Sequence, residues 1–399
     1  MKRRQFGAID VGTTKVCSII ADSNGGEIRI LGVGTTPSLG LHKGMVVNIN
    51  EARESIRRSV RRAEQTAGYR MESACVGITG QHISSLNNQG VVAITRSDQV
   101  VRQEDLRRVL QVARTVKVPN DSKLLHVIPR NYTIDGQDGV KNPVGMHGFR
   151  LDVETHIITA AVASIQNLTQ CIRSLGIEID DLILESLASG EAALTPEERE
   201  NGVILADIGG GTTDVAVFKD NSVFHTSVVP VAGYQITRDI SIGLKLPFEI
   251  AEEIKIKYGN VIPVADEGTT SKALTQSGHN VSHRELCEII RMRVEELLRL
   301  IMLELPGGER AKLVPAGMVL TGGSANLPGI SELATQVTRL PVRVGTPHHL
   351  YSVSDSLCDP AYATSVGLLL WKLKNEDTTD LPEVLGFRSF VSHMSRVFR

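Results

Sequence analysis

One pattern that occurs twice in this chain constrains its fold more than any other feature. Residues 8–15 read Ala-Ile-Asp-Val-Gly-Thr-Thr-Lys, and residues 206–214 read Ala-Asp-Ile-Gly-Gly-Gly-Thr-Thr-Asp. In each copy an apolar strand leads to an aspartate, a turn of glycine and threonine follows, and a second strand begins. The repetition predicts an α/β protein that contains two related halves.

The residue types in both turns suit the binding of nucleotide phosphates. Glycine lets backbone N–H groups approach phosphate oxygens, threonine adds hydroxyl donors, and lysine neutralises charge. The predicted phosphate-binding residues are Gly12, Thr13, Thr14, Lys15, Gly209, Gly210, Gly211, Thr212 and Thr213. Asp10 and Asp207 end their strands, where a carboxylate could hold a hydrated Mg²⁺ and orient an attacking water. One copy alone would equally indicate an ordinary hairpin, but two copies in the same strand context favour the phosphate interpretation.

Two further segments are candidates for the nucleoside. Gly322, Gly323 and Ser324 follow an apolar strand, and a turn without side chains would let adenosine lie against the backbone. Glu252 and Lys255 are three residues apart on a predicted helix, so they share one face and could bracket a ribose or an adenine. Taken alone, that pair would be a solvated ion pair.

Composition excludes several classes of function. The net charge is −2 and aromatic residues make up 4% of the chain, which argues against a nucleic-acid partner. The five cysteines are odd in number and form no C-x-x-C pair, so neither a disulfide framework nor a zinc site is expected. We also expect no signal peptide and no membrane-spanning segment.

The hydrophobic pattern predicts most strands and helices of both halves. Within the first half, residues 84–163 are predicted to form their own small α+β unit, with separate strands at 124–129 and 131–134. Residues 314–321 are predicted to be one strand that leads into the paired glycines.

The order of these pieces resembles the actin, hexokinase and heat-shock-chaperone ATPase superfamily. Residues 185–192 and 362–369 are similar to its two connecting helices, where small residues let the halves approach across a hinge. Within the superfamily the chain resembles the FtsA family of bacterial cell-division proteins over nearly its whole length. The motifs that carry this resemblance lie at residues 80–85, 125–129, 142–146, 233–240 and 293–298.

The resemblance implies a fold class and a division into domains. The expected fold is an actin-like two-domain ATPase fold, with two ribonuclease-H-like halves, an inserted α+β subdomain of the FtsA type and a C-terminal amphipathic helix. The expected parts are a first half (1–83, 164–196 and 351–374), the insertion (84–163), a second half (197–230 and 308–350), its small subdomain (231–307), a linker (375–384) and the helix (385–399).

Residues 385–399 have the pattern of an amphipathic helix that binds a membrane surface. A stripe of apolar side chains lies on one face and arginines lie on the other, comprising Phe387, Phe390, Val391, Met394, Val397 and Phe398, with Arg388, Arg396 and Arg399 opposite. The segment contains no acidic residue, which favours an anionic lipid surface. The alternative is a last helix docked on the core, but the preceding acidic linker counts against it.

The resemblance also implies a function and partners. We expect an ATP- and Mg²⁺-dependent protein, with slow ATPase activity at most, that polymerises at the division septum on the cytoplasmic side of the cell membrane. Its partners would be a second copy of itself, anionic lipids, the C-terminal peptide of the tubulin-like protein FtsZ, and later division proteins through residues 84–163. By position, Arg293 matches a family residue that binds the FtsZ peptide, and Arg284 and Arg291 lie nearby. The alternatives are a PilM-like scaffold of pilus assembly, a sugar kinase of the same superfamily and the cell-shape protein MreB.

Overall fold

The computed structural model describes residues 4–24, 27–262, 273–276, 279–307, 313–348 and 355–376. Its first sheet has five strands in the order β11-β6-β1-β2-β3. Their bounds are β1 (Arg4–Val11), β2 (Lys15–Asn24), β3 (Glu27–Pro37), β6 (Ser73–Ile78) and β11 (Glu178–Leu184). β1 pairs antiparallel with β2 and parallel with β6, so the first repeated turn ends the central strand.

A second five-stranded sheet repeats this topology in the order β14-β13-β12-β17-β18. Its strands are β12 (Val203–Ile208), β13 (Thr213–Lys219), β14 (Ser222–Val229), β17 (Met318–Thr321) and β18 (Val342–Val344). The central strand β12 pairs antiparallel with β13 and parallel with β17, as β1 does with β2 and β6. The predicted two-half α/β architecture is therefore confirmed.

Helices pack on both sheets and have recognisable ends. They are α1 (Ile49–Ala67), α3 (Val162–Arg173), α4 (Glu185–Ala193), α5 (Pro196–Asn201), α9 (Ile330–Thr338) and α10 (Ala363–Glu376), and α2 belongs to the insertion described below. Helix α1 begins where the side chain of Asn48 accepts from the N–H of Asn50 at 3.1 Å, and it ends at Gly68 with φ 71°. Its buried side chains face β2 and β3, which fixes it on the first sheet.

Between β6 and β11 the chain forms a separate four-stranded sheet in the order β7-β10-β8-β9. Its elements are β7 (Ser84–Ala93), α2 (Gln103–Ala113), β8 (Ser122–Ile134), β9 (Gln137–Val140) and β10 (Arg150–Ala161). Helix α2 covers the sheet, and the unit has its own hydrophobic core around Val109, Leu151 and Val153. An inserted α+β subdomain is thus present.

Three helices and a hairpin form a unit beside the second sheet. They are α6 (Gly233–Gly243), α7 (Phe248–Tyr258), the hairpin of β15 (Ala273–Gln276) and β16 (His279–Ser282), and α8 (His283–Glu304). Helix α6 packs against both α7 and α8, and the buried faces of all three join the core of the second half. This places the start of α6 next to the second repeated turn.

Helices α4 and α10 cross between the two halves at very short range. A Cβ atom added at Gly367 would overlap the carbonyl group of Ala188, so only glycine fits at this crossing. These are the two segments that resemble connecting helices. Their small residues bring both helix backbones into contact beside the two repeated turns.

Two predicted elements differ from the structure for local reasons. Residues 124–129 and 131–134 belong to one strand, β8, because a bulge opposite Glu154 and Thr155 absorbs Arg130 after Pro129. The strand predicted at 314–321 begins only at Met318, because Gly317 has φ 83° and forms a turn. The predicted amphipathic helix at 385–399 lies outside the described residues.

Candidate functional site

The two repeated turns face each other across the space between the halves. A Cβ atom on Gly210 would overlap the side chain of Thr14, and one on Gly211 would overlap that of Thr13. Both glycines thus lie where any side chain would fill the gap between the turns. The structure therefore brings the predicted residues of the first turn against those of the second.

Four buried carboxyl groups lie beneath the turns. Asp10 accepts a hydrogen bond from the Ser365 hydroxyl at 2.7 Å, and Asp207 accepts one from the Thr364 hydroxyl at 2.8 Å. Asp214 lies directly opposite Asp207 in the β12–β13 pair and accepts from the Thr79 hydroxyl. Glu185, the first residue of α4, is buried, and its Oε1 atom has no hydrogen-bond partner in the structure.

Burial and mutual repulsion make these carboxyl groups hard to ionise. Burial raises the pKa of Asp214 to about 7, with repulsion from Asp207 adding to the effect. Burial, followed by repulsion from Asp10 and the other two carboxylates, raises the pKa of Glu185 well above its usual value. Burial also raises the pKa of Asp10 and of Asp207, against the favourable charge of Lys15. A cation between the turns would relieve this repulsion.

The arrangement fits a nucleotide phosphate chain with a hydrated cation. Turns with no Cβ atoms expose backbone N–H groups, and oxygen donors are what Mg²⁺ prefers. Among the residues that the structure describes, no group of three or more His, Cys, Asp or Glu side chains is arranged to hold a metal ion directly. The water-mediated Mg²⁺ site predicted at Asp10 and Asp207 stays a prediction.

The polar side chains of the turns differ in what they offer a ligand. The Thr13 hydroxyl accepts from the N–H of Gly44 at 3.0 Å, so its proton remains available as a donor. The Thr213 hydroxyl instead donates to the carbonyl of Val231 at 2.7 Å and points away from the gap. Thr14 is exposed and Thr212 is buried.

Lys15 makes contacts that the sequence does not indicate. Its ammonium group donates to the carbonyl oxygen of Ala361 and lies 3.8 Å from the ring centroid of Tyr362. Both partners directly precede α10, so Lys15 links the first turn to this connecting helix. Its charge acts on both Asp10 and Asp207.

The predicted nucleoside turn lies against the second phosphate turn. Gly322 has φ 84°, and a Cβ atom there would fall 2.6 Å from the carbonyl oxygen of Ile208. The Ser324 hydroxyl donates to the carbonyl of Gly209 at 3.0 Å. Gly323 is nearly free of neighbours, because an added Cβ atom would meet only Ala361 at 3.9 Å. The turn thus presents backbone, as the prediction requires.

Glu252 and Lys255 form a partly buried network rather than a solvated ion pair. The Lys255 ammonium lies 2.7 Å from Glu252 and 2.9 Å from the hydroxyl of Thr237. It also reaches the carbonyl of Gly233 at 3.4 Å, at the start of α6. Because a Cβ on Gly233 would fall 2.8 Å from Ser324 Oγ, this pair lies beside the nucleoside turn.

The repeat pattern does not single out several residues that the fold brings to the site. These are Thr79, Glu185, Ser189, Asp214, Thr364 and Ser365. Asp214 is the last residue of the second repeat and four of the others lie on the connecting helices, which is the sequence signal that could have identified them, whereas Thr79 carries no such signal. Sequence alone does not show that Glu185 and Asp214 are buried together.

The three predicted peptide-binding arginines do not form one patch. Arg284 and Arg291 are seven residues apart on α8, pair with Glu288 and Glu295 at 2.9 and 3.0 Å, and share a face. Arg293 is nine residues from Arg284, about 180° around a helix of 3.6 residues per turn. It pairs with Asp239 of α6 at 2.5 Å and with Glu296 at 2.7 Å. Arg293 therefore lies at the α6–α8 contact, away from the other two.

The predicted membrane-binding residues, from Phe387 to Phe398, lie outside the described part of the chain. Within that part, no helix has the length and hydrophobicity needed to cross a membrane.

Comparison with known families gives two matches along the chain. A family model described as "Cell division protein FtsA" matches residues 204–367, and one described as "SHS2 domain inserted in FTSA" matches residues 80–159. The second match covers most of the inserted four-stranded sheet.

Similar curated proteins carry the same description. The cell division protein FtsA of Pseudomonas aeruginosa is 43% identical over 373 residues, which cover 92% of this chain and 89% of that protein. The FtsA protein of Bacillus subtilis is 37% identical over 376 residues, covering 93% and 84%. That of Escherichia coli K12 is 35% identical over 379 residues, covering 92% and 90%.

Solved structures with low sequence identity share the fold. The PilM–PilN type IV pilus biogenesis complex matches with a TM-score of 0.67 and 17% identity, covering 93% of this chain and 99% of that one. MreB5 of Spiroplasma citri bound to ADP matches with a TM-score of 0.56 and 15% identity, covering 94% and 99%. These likenesses place the chain among actin-like folds.

Proposed function

The chain belongs to the family of the cell division protein FtsA, so its function is in cell division. We propose that it acts there as an ATP-dependent membrane tether. In this proposal it polymerises on the inner face of the cytoplasmic membrane at the septum, holds the FtsZ ring there and helps to recruit later division proteins. The likeness to the pilus complex extends to the fold only, so the family assignment favours cell division over a pilus scaffold or a sugar kinase.

The facing turns are the observation that carries the nucleotide part of this proposal. Gly210 and Gly211 bring the backbone of the second turn into contact with Thr13 and Thr14, so both turns could bind one phosphate chain, and Gly323 presents backbone where adenosine would lie. Asp10 and Asp207 are buried near the ends of the two central strands, and in this proposal they hold Mg²⁺ through its water shell beneath the phosphates. Bound Mg²⁺ would supply positive charge to the phosphate oxygens.

The same residues couple the nucleotide to the angle between the halves. Asp10 is hydrogen-bonded to Ser365 of α10, and Asp207 is bonded to Ser189 of α4 and Thr364 of α10. A ligand that neutralises these carboxylates acts directly on the two crossing helices. We propose that ATP thereby fixes the angle at which protomers stack into a filament.

The FtsZ peptide would bind the helical unit near Arg293. FtsZ tails are generally acidic, so a guanidinium group gives electrostatic complementarity. Arg293 is partly exposed but already paired with Asp239 and Glu296, so an incoming carboxylate would compete with these two acids. This competition favours moderate affinity for each tail and strong binding by an array of protomers.

Membrane attachment would come from residues 385–399. Each phenylalanine of this segment could contribute about 2 kcal/mol if it is fully buried in lipid, partly offset by the ordering of the segment. A single helix would then bind reversibly, and a filament would bind through many helices at once.

A vesicle experiment tests the tether. Fluorescent FtsZ C-terminal peptide is mixed with the full chain, ATP, Mg²⁺ and vesicles that contain anionic lipids, and vesicle-bound fluorescence is measured. We expect recruitment with the full chain, and solution binding without recruitment for a chain that lacks residues 385–399. Peptide binding should weaken in Arg293→Gln and not in Arg299→Gln, an exposed arginine on the same helix.

Two outcomes would contradict the proposal. A folded chain that fails to bind the peptide would not be a tether. Equal peptide affinity in the Arg293 and Arg299 variants would show that Arg293 is not part of the peptide-binding interface. Thermal unfolding of both variants serves as the folding control, because Arg293 also contacts α6.

A further inference from the structure

A short hairpin in the first half ends in an unusual turn. β4 (Leu41–His42) pairs with β5 (Met45–Val46), so the loop consists of Lys43 and Gly44 alone. Their φ angles are 48° and 75°, which is the pattern of a type I′ turn. Asparagine, aspartate and glycine are preferred at the first position of this turn, and lysine adopts a positive φ only at a conformational cost. A lysine at such a costly backbone position is a candidate for a role of its side chain.

The turn lies at the junction of the two phosphate turns. The N–H of Gly44 donates to Thr13 Oγ1 at 3.0 Å, and a Cβ on Gly44 would fall 2.9 Å from Thr79 Cγ2, the side chain that bonds Asp214. On the other side, the rings of His42 and Tyr234 meet edge to face with centroids 6.4 Å apart. The N–H of Tyr234 donates to the carbonyl of Gly210 at 2.7 Å. Lys43, between His42 and Gly44, is therefore flanked by contacts to both turns.

The lysines near the site differ in whether their charge is already satisfied. Lys15 is bonded to the carbonyl of Ala361 and stacks on Tyr362, and Lys255 is paired with Glu252. Lys43 is half-buried and, within the described ranges, makes no hydrogen bond or ion pair. Its ammonium group is therefore available to pair with an anion that binds beside the turn.

We propose that Lys43 binds the terminal phosphate of a nucleoside triphosphate in this cleft, an inference that rests on the proposed nucleotide function. The nucleoside is placed at Gly322–Ser324, beside the second turn. The hairpin lies at Thr13 and Thr79, beside the carboxylates, so the phosphate farthest from the nucleoside is nearest to Lys43. Because His42 contacts Tyr234 of the second half, the hairpin also joins recognition of that phosphate to closure of the cleft.

Replacement of the lysine by asparagine tests this role without harming the turn. Asn-Gly is a favoured type I′ sequence, so Lys43→Asn should fold at least as well as the natural chain. Lys245 supplies a matched control, because it also has a positive φ of 53° but is exposed and lies after α6. Affinities for ATP and ADP are measured by calorimetry with Mg²⁺ on the full chain, the two asparagine variants and Lys43→Arg.

We expect Lys43→Asn to weaken ATP binding by about tenfold or more, the effect of losing one hydrogen bond to a charged group. ADP binding should weaken by less than about threefold, since the terminal phosphate is absent. Lys245→Asn should match the natural chain with both nucleotides, and Lys43→Arg should recover most of the ATP affinity.

The outcomes separate this inference from the function on which it rests. Unchanged ATP affinity in Lys43→Asn, alongside a clear loss in Asp207→Ala, would overturn the role of Lys43 and leave the cleft assignment standing. Equal losses of ATP and ADP affinity would overturn the assignment to the terminal phosphate. Failure of the natural chain to bind either nucleotide would overturn the nucleotide proposal, and this inference with it.

Discussion

Replacement of Asp214 by asparagine should reduce the loss of folding stability that the nucleotide-free protein undergoes as the pH rises. Asp214 is buried opposite Asp207, and its carboxyl pKa rises from 3.8 to about 7. The folded state therefore holds a proton that the unfolded state has already released, and stability falls as pH rises from about 4 to about 7. Asparagine keeps an oxygen that can accept from Thr79 but carries no charge.

The magnitude follows from linkage between proton binding and folding. At ~1.4 kcal/mol per pKa unit, the full effect on the free energy of unfolding is about 4 kcal/mol, and about 2–3 kcal/mol of it develops between pH 5 and pH 8. Burial also raises the pKa of Asp10, Asp207 and Glu185, so they act in the same direction in both proteins. The difference between the natural chain and the variant in how their free energy of unfolding changes with pH therefore reports on Asp214 and its repulsion of these neighbours.

Chemical denaturation at pH 5 and pH 8, without nucleotide or Mg²⁺, measures this effect. From pH 5 to pH 8 the free energy of unfolding of the natural chain should fall by about 2–3 kcal/mol more than that of Asp214→Asn. Asp121→Asn, at an exposed carboxylate, should behave like the natural chain. If the natural chain and Asp214→Asn lost the same free energy, the reasoning about the buried carboxyl cluster would be refuted.

Two further predictions concern the crossing of the connecting helices and an ion pair within the second half. Gly367→Ala should lower the free energy of unfolding by about 1–3 kcal/mol, because its Cβ overlaps Ala188, whereas Gly323→Ala should change it little; equal effects in denaturation would contradict the helix crossing. Arg343→Gln should cost about 1 kcal/mol at pH 7 through loss of its two hydrogen bonds to Glu198, each 2.6 Å long. The pairing lowers the pKa of Glu198, so the stability that it adds is present above the usual carboxyl pKa and is lost in acid. The natural chain and Arg343→Gln should therefore have similar free energies of unfolding near pH 3. A difference in unfolding free energy that persists at pH 3 would contradict the ion-pair explanation.

The sequence predicts the centre of the fold well because its turns have strict requirements. Few structures are compatible with a strand that ends in Asp followed by a Gly/Thr turn, and the same pattern in two places implies two related sheets. Strand β14 (Ser222–Val229) is harder to predict because His225 and Thr226 interrupt its apolar pattern. In the structure Thr226 is hydrogen-bonded to the buried His156 of the inserted subdomain, a partner that is distant in sequence.

The candidate site is predictable in its backbone and less so in its side chains. The glycines are visible because phosphate binding needs turns without Cβ atoms. Glu185 and Asp214 are ordinary acids in the sequence, and only the fold shows that they are buried together. The α8 arginines show a different limit: helical spacing places Arg293 opposite Arg284, but only the contact with Asp239 shows what it does there.

Calorimetric titration of ATP into the full chain, with and without Mg²⁺, tests whether the two facing turns bind a nucleotide. Asp207→Ala is titrated in parallel, because Asp207 lies beneath the turns and is bonded to both connecting helices. We expect saturable ATP binding that is tighter with Mg²⁺, and a large loss of ATP affinity in the variant. Undiminished ATP affinity in a folded Asp207→Ala chain would contradict the claim that the two facing turns and their buried carboxylates form the nucleotide site.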